Sequence, residues 1–238
     1  MPVLKRSLAA AMCVGALALG GCASGGKAPV AIGIDPNSPE QVVLGEIYRQ
    51  VLMNQGRPTS VTAVPFSGSA LEVLKSSQIQ FAVTCTGQLL HDESPATAET
   101  LLERGPSEEA GEFNDEVYRD AVAIFPSDLR TVDPSPAQGC GASFGAEEAE
   151  AGDGDELPQN IIPVFQKGMF DRGEINRLNF ATRAMATDDI VELAEDLESG
   201  TPLNQVVRDW LLEYVQINPI GDEPVDEEKA PDPNSAKG

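Results

Sequence analysis

Basic residues are scarce in this chain of 238 residues. It carries 16 Lys and Arg against 38 Asp and Glu, with one His, which gives a formal net charge of −22. Binding to DNA or RNA requires Lys and Arg to neutralise phosphates, and docking on anionic lipids requires a basic patch. The charge balance therefore argues against a nucleic-acid partner and against polybasic membrane docking.

Sequence motifs of catalysis are also missing. The chain has no phosphate-binding loop, no dinucleotide-binding glycine fingerprint and no nucleophile elbow. The single histidine, His91, cannot form a multidentate metal site, and we interpret it as a solvated loop residue. The acidic run around Asp153 and Asp155 lacks the spacing of a calcium-binding EF-hand. The sequence therefore predicts a protein that is not an enzyme and that holds neither a cofactor nor a metal.

The N-terminus has the features of a bacterial lipoprotein signal. Two basic residues precede an apolar run from Leu8 to Leu19, which is shorter than the roughly 20 residues needed to span a bilayer. The run Leu19–Cys22 resembles the lipobox, in which the cysteine is acylated. We therefore predict a signal peptide over 1–21, lipidation of Cys22, and an anchor on the outer face of the membrane in the bacterial cell envelope. Ordinary cleavage, with Cys22 left unmodified, is the alternative.

The four cysteines have different expected roles. Cys13 leaves with the signal peptide and Cys22 carries lipid, so Cys85 and Cys140 remain in an oxidising compartment. We predict that these two form one disulfide. Two separate buried thiols are the alternative.

The order of predicted elements in the first half indicates an α/β fold. Short apolar runs at 30–34, 60–64 and 79–85 predict three strands, with a helix between each pair. The first helix starts at Ser38 and Pro39, an N-cap followed by a first-turn proline. Alternation of strands and helices predicts a mostly parallel sheet flanked by helices.

The second half adds helices and one more strand. Helical patterns cover 95–125, and two further helices start at Thr187 and Thr201. A strand is predicted at 161–165, where Pro163 should confine it to an edge or an end of the sheet. The predicted boundaries are a lipidated tether at 22–28, a single lobe built from 29–144 and 159–218, an acidic linker at 145–158, and a disordered acidic tail at 219–238.

Three segments resemble a known family of binding proteins. The segment Ile32–Gln41, leading into Leu44–Tyr48, resembles the start of the quaternary-amine (glycine betaine, choline, carnitine) binding proteins of ABC importers. Ser69–Leu90 is similar to the family's helix, strand and Tyr-Thr-Gly turn, and Asn160–Leu211 is similar to its return to the first lobe. The resemblance implies a periplasmic-binding-protein-like lobe that captures a small zwitterionic or quaternary-amine ligand for an ABC permease or another membrane protein complex.

The chain also departs from this family. The acidic segment 145–158 stands where the family has a second lobe, so we expect that lobe to be missing. Cys85 stands where the family has the Tyr before Thr-Gly. Quaternary ammonium groups bind on aromatic faces, but four candidate aromatic residues fall on the apolar stripes of predicted helices and should pack in the core: Tyr48, Tyr118, Trp210 and Tyr214.

The candidate ligand-binding residues follow the three predicted strands. They are Asp35 and Asn37 after the first strand, Ser67, Gly68 and Ser69 at a helix start, and Thr86 and Gly87 after the third strand. Backbone N–H groups at a helix start can hold a carboxylate, although Ser67 to Ser69 also fit an ordinary helix cap. Two functions stay open: a solute-binding lipoprotein, or a non-transporting accessory or scaffold lipoprotein that binds a protein partner in the envelope.

Overall fold

A five-stranded sheet lies between two layers of helices in the computed structural model, which describes residues 26–64, 69–76, 78–106, 110–140 and 156–220. The strands are β1 Val30–Ile34, β2 Thr59–Ala63, β3 Phe81–Cys85, β4 Leu129–Arg130 and β5 Ile161–Gln166. The helices are α1 Pro39–Asn54, α2 Ala70–Lys75, α3 Thr86–Glu93, α4 Pro95–Arg104, α5 Ala110–Ala123, α6 Arg172–Ala184, α7 Thr187–Glu198 and α8 Leu203–Trp210. A π-helical turn, Leu211–Val215, continues α8.

Several predictions fall outside the described residues. These are the signal peptide, Cys22, the site residues Ser67 and Gly68, most of the acidic linker and most of the tail. The ends of the linker and the tail are described: Leu157 is buried in the core, and the Ile220 N–H donates to Gln50 Oε1 at 2.8 Å. The predicted domain boundaries remain predictions. In the part of the chain that the structure describes, no helix has the length and apolar character needed to cross a membrane.

The sheet has a parallel half and an antiparallel half. Its strand order is β2-β1-β3-β5-β4, with β1 parallel to both β2 and β3, and with β5 antiparallel to both β3 and β4. The helices α1 and α2 pack on opposite faces of the sheet. The connection through α1 leads to β2 on one side of β1, and the connection through α2 leads to β3 on the other side, so two right-handed crossovers place their helices on different faces. The parallel half is the strand and helix alternation that the sequence predicted.

Pro163 lies inside β5, which is an inner strand, so the prediction that it confines this strand to an edge or an end is wrong. Gln166 donates its backbone N–H to Gln80 O, so the backbone N–H of every second residue counted from Gln166 points toward β3. Pro163 is three residues before Gln166, so its nitrogen points away from β3. On that side β4 pairs only with the last two residues of β5, and Ile161 bonds to the segment 135–137. Pro163 falls between these contacts, where a backbone donor has no required acceptor.

Side chains of the sheet alternate between two hydrophobic clusters. The first face, with Ile32 and Phe81, packs against α1, α6, α7 and α8, whereas the second face, with Ala82 and Val164, packs against α2 to α5. The predicted apolar stripe of α1 is fully buried at Val43, Leu44, Ile47, Tyr48, Val51 and Leu52. At about 1.5–3 kcal/mol for each large apolar side chain, this stripe is a major contribution to the first cluster.

The aromatic residues expected in the core do not all lie there. Tyr48 and Trp210 are buried, and Tyr118 is half-buried with its hydroxyl donating to Val132 O at 3.0 Å. Tyr214 is 41% exposed, so its predicted core position is wrong. The wider turn of the π-helix shifts the spacing between the residues that face the core, so that Val215 rather than Tyr214 continues the buried stripe. His91 lies on α3 rather than in a loop, and its side chain is exposed.

A buried ion pair joins the start of the described chain to α6. Arg57 donates to both carboxylate oxygens of Glu174 at 2.7 Å, and both side chains are at least nine-tenths buried. Arg57 also donates to Ala28 O and Met169 O. Lys27 Nζ lies 3.1 Å from Glu174 Oε1. These contacts fix the chain just before β1.

Candidate ligand site at the sheet edge

The parallel strands β1, β2 and β3 bring their carboxyl ends to one edge of the sheet. Asp35 and Asn37 follow β1, Ser69 lies in the connection after β2, and Thr86 and Gly87 begin α3 directly after β3. Because the helices after β1 and β2 pack on opposite faces, this edge contains a switch point between β1 and β3. Ligands of open α/β sheets bind at such points.

Asp35 and Asn37 form a local turn at this edge. Asp35 Oδ1 accepts from the Asn37 N–H at 2.9 Å and from Asn37 Nδ2 at 3.1 Å. Asp35 is half-buried and Asn37 is exposed. An Asx turn of this kind explains the residue types locally, and it leaves a carboxylate at the surface of the edge.

Ser69 acts as the N-cap of α2. Its Oγ accepts from the Leu71 N–H at 3.2 Å, and its hydroxyl donates to Glu93 Oε1 at the end of α3. Ser69 is buried. For Ser69 this is the helix-cap alternative that the sequence left open, whereas Ser67 and Gly68 lie outside the described residues.

The first turn of α3 is covered by the chain itself. The Thr86 N–H donates to Asn160 O, the Gly87 N–H to Pro158 O, and the Gln88 N–H to Gln159 Oε1, at 2.8–3.0 Å. The Thr86 hydroxyl also donates to Pro158 O. A Cβ at Gly87 would lie within 2.9 Å of this segment, so the position requires glycine. The backbone N–H groups of Thr86 and Gly87, two of the candidate ligand-binding residues, are therefore bonded to Asn160 and Pro158 in this structure.

A disulfide and a buried carboxylate lie beside this turn. Cys85, the last residue of β3, is bonded to Cys140 with a Cα–Cα distance of 5.9 Å. Glu40, in the first turn of α1, is 5% exposed and accepts from the Cys140 N–H at 3.3 Å with each of its oxygens. Burial raises the pKa of Glu40 to about 7, against a smaller opposing effect of the Cys140 N–H. Sequence reasoning missed Glu40, because an acid in the first turn of a helix is normally a solvated partner of the helix dipole.

Substitution of Glu40 by glutamine should remove a pH dependence from the stability of the disulfide-bonded protein. The native state binds this proton more tightly than the unfolded state, whose carboxyl keeps the ordinary pKa of 4.5. The contribution of Glu40 to stability is therefore present below pH 4.5 and lost as pH rises through about 7, a change of about 3 kcal/mol. Urea unfolding of the wild type and of Glu40→Gln, each at pH 5 and at pH 8, measures this change. If the two proteins differed in free energy of unfolding by the same amount at both pH values, the prediction would be contradicted.

A shallow groove lies between α4 and α5. It is lined by Thr97 and Thr100 on one helix and by Asp120 on the other, with the Arg104–Glu116 ion pair at 2.7 Å beside them. Of the sequence-predicted site residues that the structure describes, none lines this groove. The candidate site therefore remains the edge formed by the ends of β1, β2 and β3.

Comparison with known proteins shows a likeness of fold and no match of sequence. No family model matches the chain, and no curated protein matches it. Among solved structures, apo YehZ from Escherichia coli matches with a TM-score of 0.53 and 13% identity, covering 77% of this chain and 97% of that chain. A TRAP periplasmic solute-binding protein from Pseudomonas putida F1, with bound D-glucuronate, matches with a TM-score of 0.39 and 11% identity, covering 78% and 92%. This second score is too low to support an argument.

The class defined by this fold is the periplasmic-binding-protein-like α/β lobe. The described residues form one such lobe, a five-stranded sheet flanked by helices on both faces, as the sequence predicted. At 13% identity the comparison establishes the fold alone, and membership of the quaternary-amine family is not confirmed.

Proposed function

We propose that this chain is a lipid-anchored solute-binding protein of the bacterial cell envelope, which captures a small zwitterionic or quaternary-amine ligand for a membrane permease of the ABC class. The carrying observation is the edge of the sheet where β1, β2 and β3 end and are followed by Asp35, Ser69 and Thr86, next to the switch point between β1 and β3. The sequence resemblance supplies the ligand class. The half-buried carboxylate of Asp35 supplies a charge opposite to that of a quaternary ammonium group.

The predicted anchor is compatible with an accessible site. Lys27 is held by Gln55 O at 2.9 Å and by Asp171 and Glu174 at 3.1 Å. Cys22 precedes Lys27 by five residues, and an extended chain of that length reaches about 18 Å. A lipid on Cys22 would therefore hold the start of β1 near the membrane and leave the opposite edge of the sheet open to solutes.

Calorimetry with glycine betaine, choline and carnitine on the full-length protein tests the proposal. We expect heat release with a dissociation constant tighter than about 100 μM for at least one of the three, which corresponds to about 5.5 kcal/mol. Asp35→Asn keeps the acceptor of the local turn and removes the charge, so it should weaken binding. Asp115→Asn, an equal change of charge at an exposed position on α5, should leave binding unchanged. Absence of heat with all three ligands would contradict the proposal.

A specific observation favours the second candidate, an accessory or scaffold lipoprotein. The N–H groups of the first turn of α3 are occupied by residues 158–160, and Cys85 stands where the quaternary-amine family has an aromatic residue. A lobe with these changes can keep its fold, while the edge of the sheet that would bind a ligand is bonded to the chain itself. Calorimetric silence, together with recovery of a defined membrane complex after crosslinking, would support this candidate over solute capture.

A further inference from the structure

We propose that Cys85, Cys140 and Glu40 form a zinc site when the disulfide is reduced, and that disulfide formation expels the ion. The two sulfur atoms and a carboxylate oxygen of Glu40 all lie within 4.8 Å of one another. They come from the end of β3, the segment before the acidic linker, and the first turn of α1. The fold therefore brings together three donors that are far apart in sequence.

The donor set suits zinc in particular. Two thiolates and one carboxylate, with a fourth position left for water, form a tetrahedral set with the soft and hard ligands that Zn²⁺ accepts. Zn–S bonds of about 2.3 Å place two sulfur atoms about 3.8 Å apart. The Cα–Cα distance of 5.9 Å between Cys85 and Cys140 leaves room for the sulfur atoms to separate to that distance through side-chain rotation.

Glu40 has the surroundings expected of a carboxylate that binds a cation. It is 5% exposed, and its hydrogen bonds in the described structure are two 3.3 Å contacts from one backbone N–H. Buried carboxylates are normally paired with a cation or with several donors. A Cβ at Gly139 would meet Glu40 Oε1, so glycine at this position lets the carboxylate lie against the backbone next to Cys140.

The redox step needs a dithiol as the reductant. Cys85 is fully buried and Cys140 is half-buried, so the attacking thiolate bonds to Cys140 Sγ and Cys85 leaves as the thiolate. The second thiol of the reductant then displaces Cys140, which leaves an oxidised reductant and two protein thiols. Zn²⁺ binds the two sulfur atoms with release of their two protons. Oxidation of the two thiols by a disulfide reverses the sequence and frees the ion.

Cobalt provides a spectroscopic test, because a thiolate bound to Co²⁺ gives a charge-transfer absorption band that carboxylates alone do not give. The full chain carrying Cys13→Ser and Cys22→Ser, solubilised in detergent, leaves Cys85 and Cys140 as the only cysteines. After reduction with a phosphine and removal of the reductant, we expect one equivalent of Co²⁺ to produce the band and Zn²⁺ to abolish it by displacement. The oxidised protein should give no band.

Two variants on α1 separate ligation from general effects of charge. In competition with a chromophoric chelator, Glu40→Gln should weaken Zn²⁺ binding to the reduced protein by at least the roughly tenfold to hundredfold that the loss of a residue bonded to a metal ligand costs. Glu46→Gln is the matched control, because Glu46 is equally buried but bonds to Arg49 and Gln50. Absence of the thiolate band from the reduced protein would overturn the zinc site. Equal Zn²⁺ affinity of Glu40→Gln and wild type would overturn the role of Glu40, and circular dichroism of both oxidised proteins checks that they are folded.

Discussion

Replacement of Arg57 by alanine should lower the free energy of unfolding by about 3–5 kcal/mol. The change leaves Glu174, which is fully buried, without the guanidinium that bonds both of its oxygens at 2.7 Å. It also removes the donors to Ala28 O and Met169 O and the cation that lies 5.4 Å from the centre of the Phe170 ring. Chemical denaturation followed by circular dichroism measures the loss.

Arg104→Ala is the matched control for this prediction. Arg104 forms an ion pair of the same length with Glu116, at 2.7 Å, but its side chain is 51% exposed. Exposed pairs of this kind contribute about 0–1 kcal/mol, because water solvates both charges after the pair is broken. If the two alanine variants lost similar stability, the buried pair would not be the element that fixes the chain before β1.

The Arg57–Glu174 pair also predicts how acid changes the stability of the protein. Burial alone would raise the pKa of Glu174, but hydrogen bonds from Arg57, from the Asp171 backbone and from Lys27 outweigh burial and lower it. A carboxyl group with a lowered native pKa contributes stability that is present above its ordinary value of 4.5 and lost as pH falls through the lowered value. Part of the acid sensitivity of the wild type should therefore disappear in Arg57→Ala.

Local patterns predicted the parallel half of the fold from the sequence. Ser38 caps α1 by accepting from the Gln41 N–H at 3.2 Å, and Pro39 occupies the first turn, as the cap pattern required. Short apolar runs predicted β1 and β3, and the alternation of strands with helices predicted their parallel order. These features depend on neighbours within a few residues, so a single sequence contains the information for them.

Features that depend on distant contacts could not be predicted in the same way. Pro163 is tolerated in an inner strand because β4 covers only the end of β5, and no local pattern reports the length of a neighbouring strand. Tyr214 turns outward because a π-helix interrupts the regular spacing of the stripe. Glu40 is buried by Gly139 and Cys140, which lie about a hundred residues away in the chain. For the candidate site, the sequence identified the strand ends but not the segment 158–160 that covers α3.

Reduction of the disulfide in metal-free protein should lower the free energy of unfolding by about 4 kcal/mol. The bond closes a loop of 55 residues, and loop closure of that length removes about 14 cal/mol/K of entropy from the unfolded chain. Denaturation of the chain carrying Cys13→Ser and Cys22→Ser, with and without a phosphine, measures the loss. Free thiols at Cys85 and Cys140 in unreduced protein would contradict the pairing.

Zinc should restore part of the stability that reduction removes. An ion that binds only the folded state adds about 2.7 kcal/mol at a free concentration 100 times its dissociation constant. The reduced wild type should therefore recover stability when Zn²⁺ is added, whereas reduced Glu40→Gln should recover less at the same concentration. Because disulfide and zinc use the same two sulfur atoms, the oxidised protein should gain nothing from Zn²⁺. Equal stabilisation of oxidised and reduced protein would mean that the ion binds elsewhere on this acidic chain.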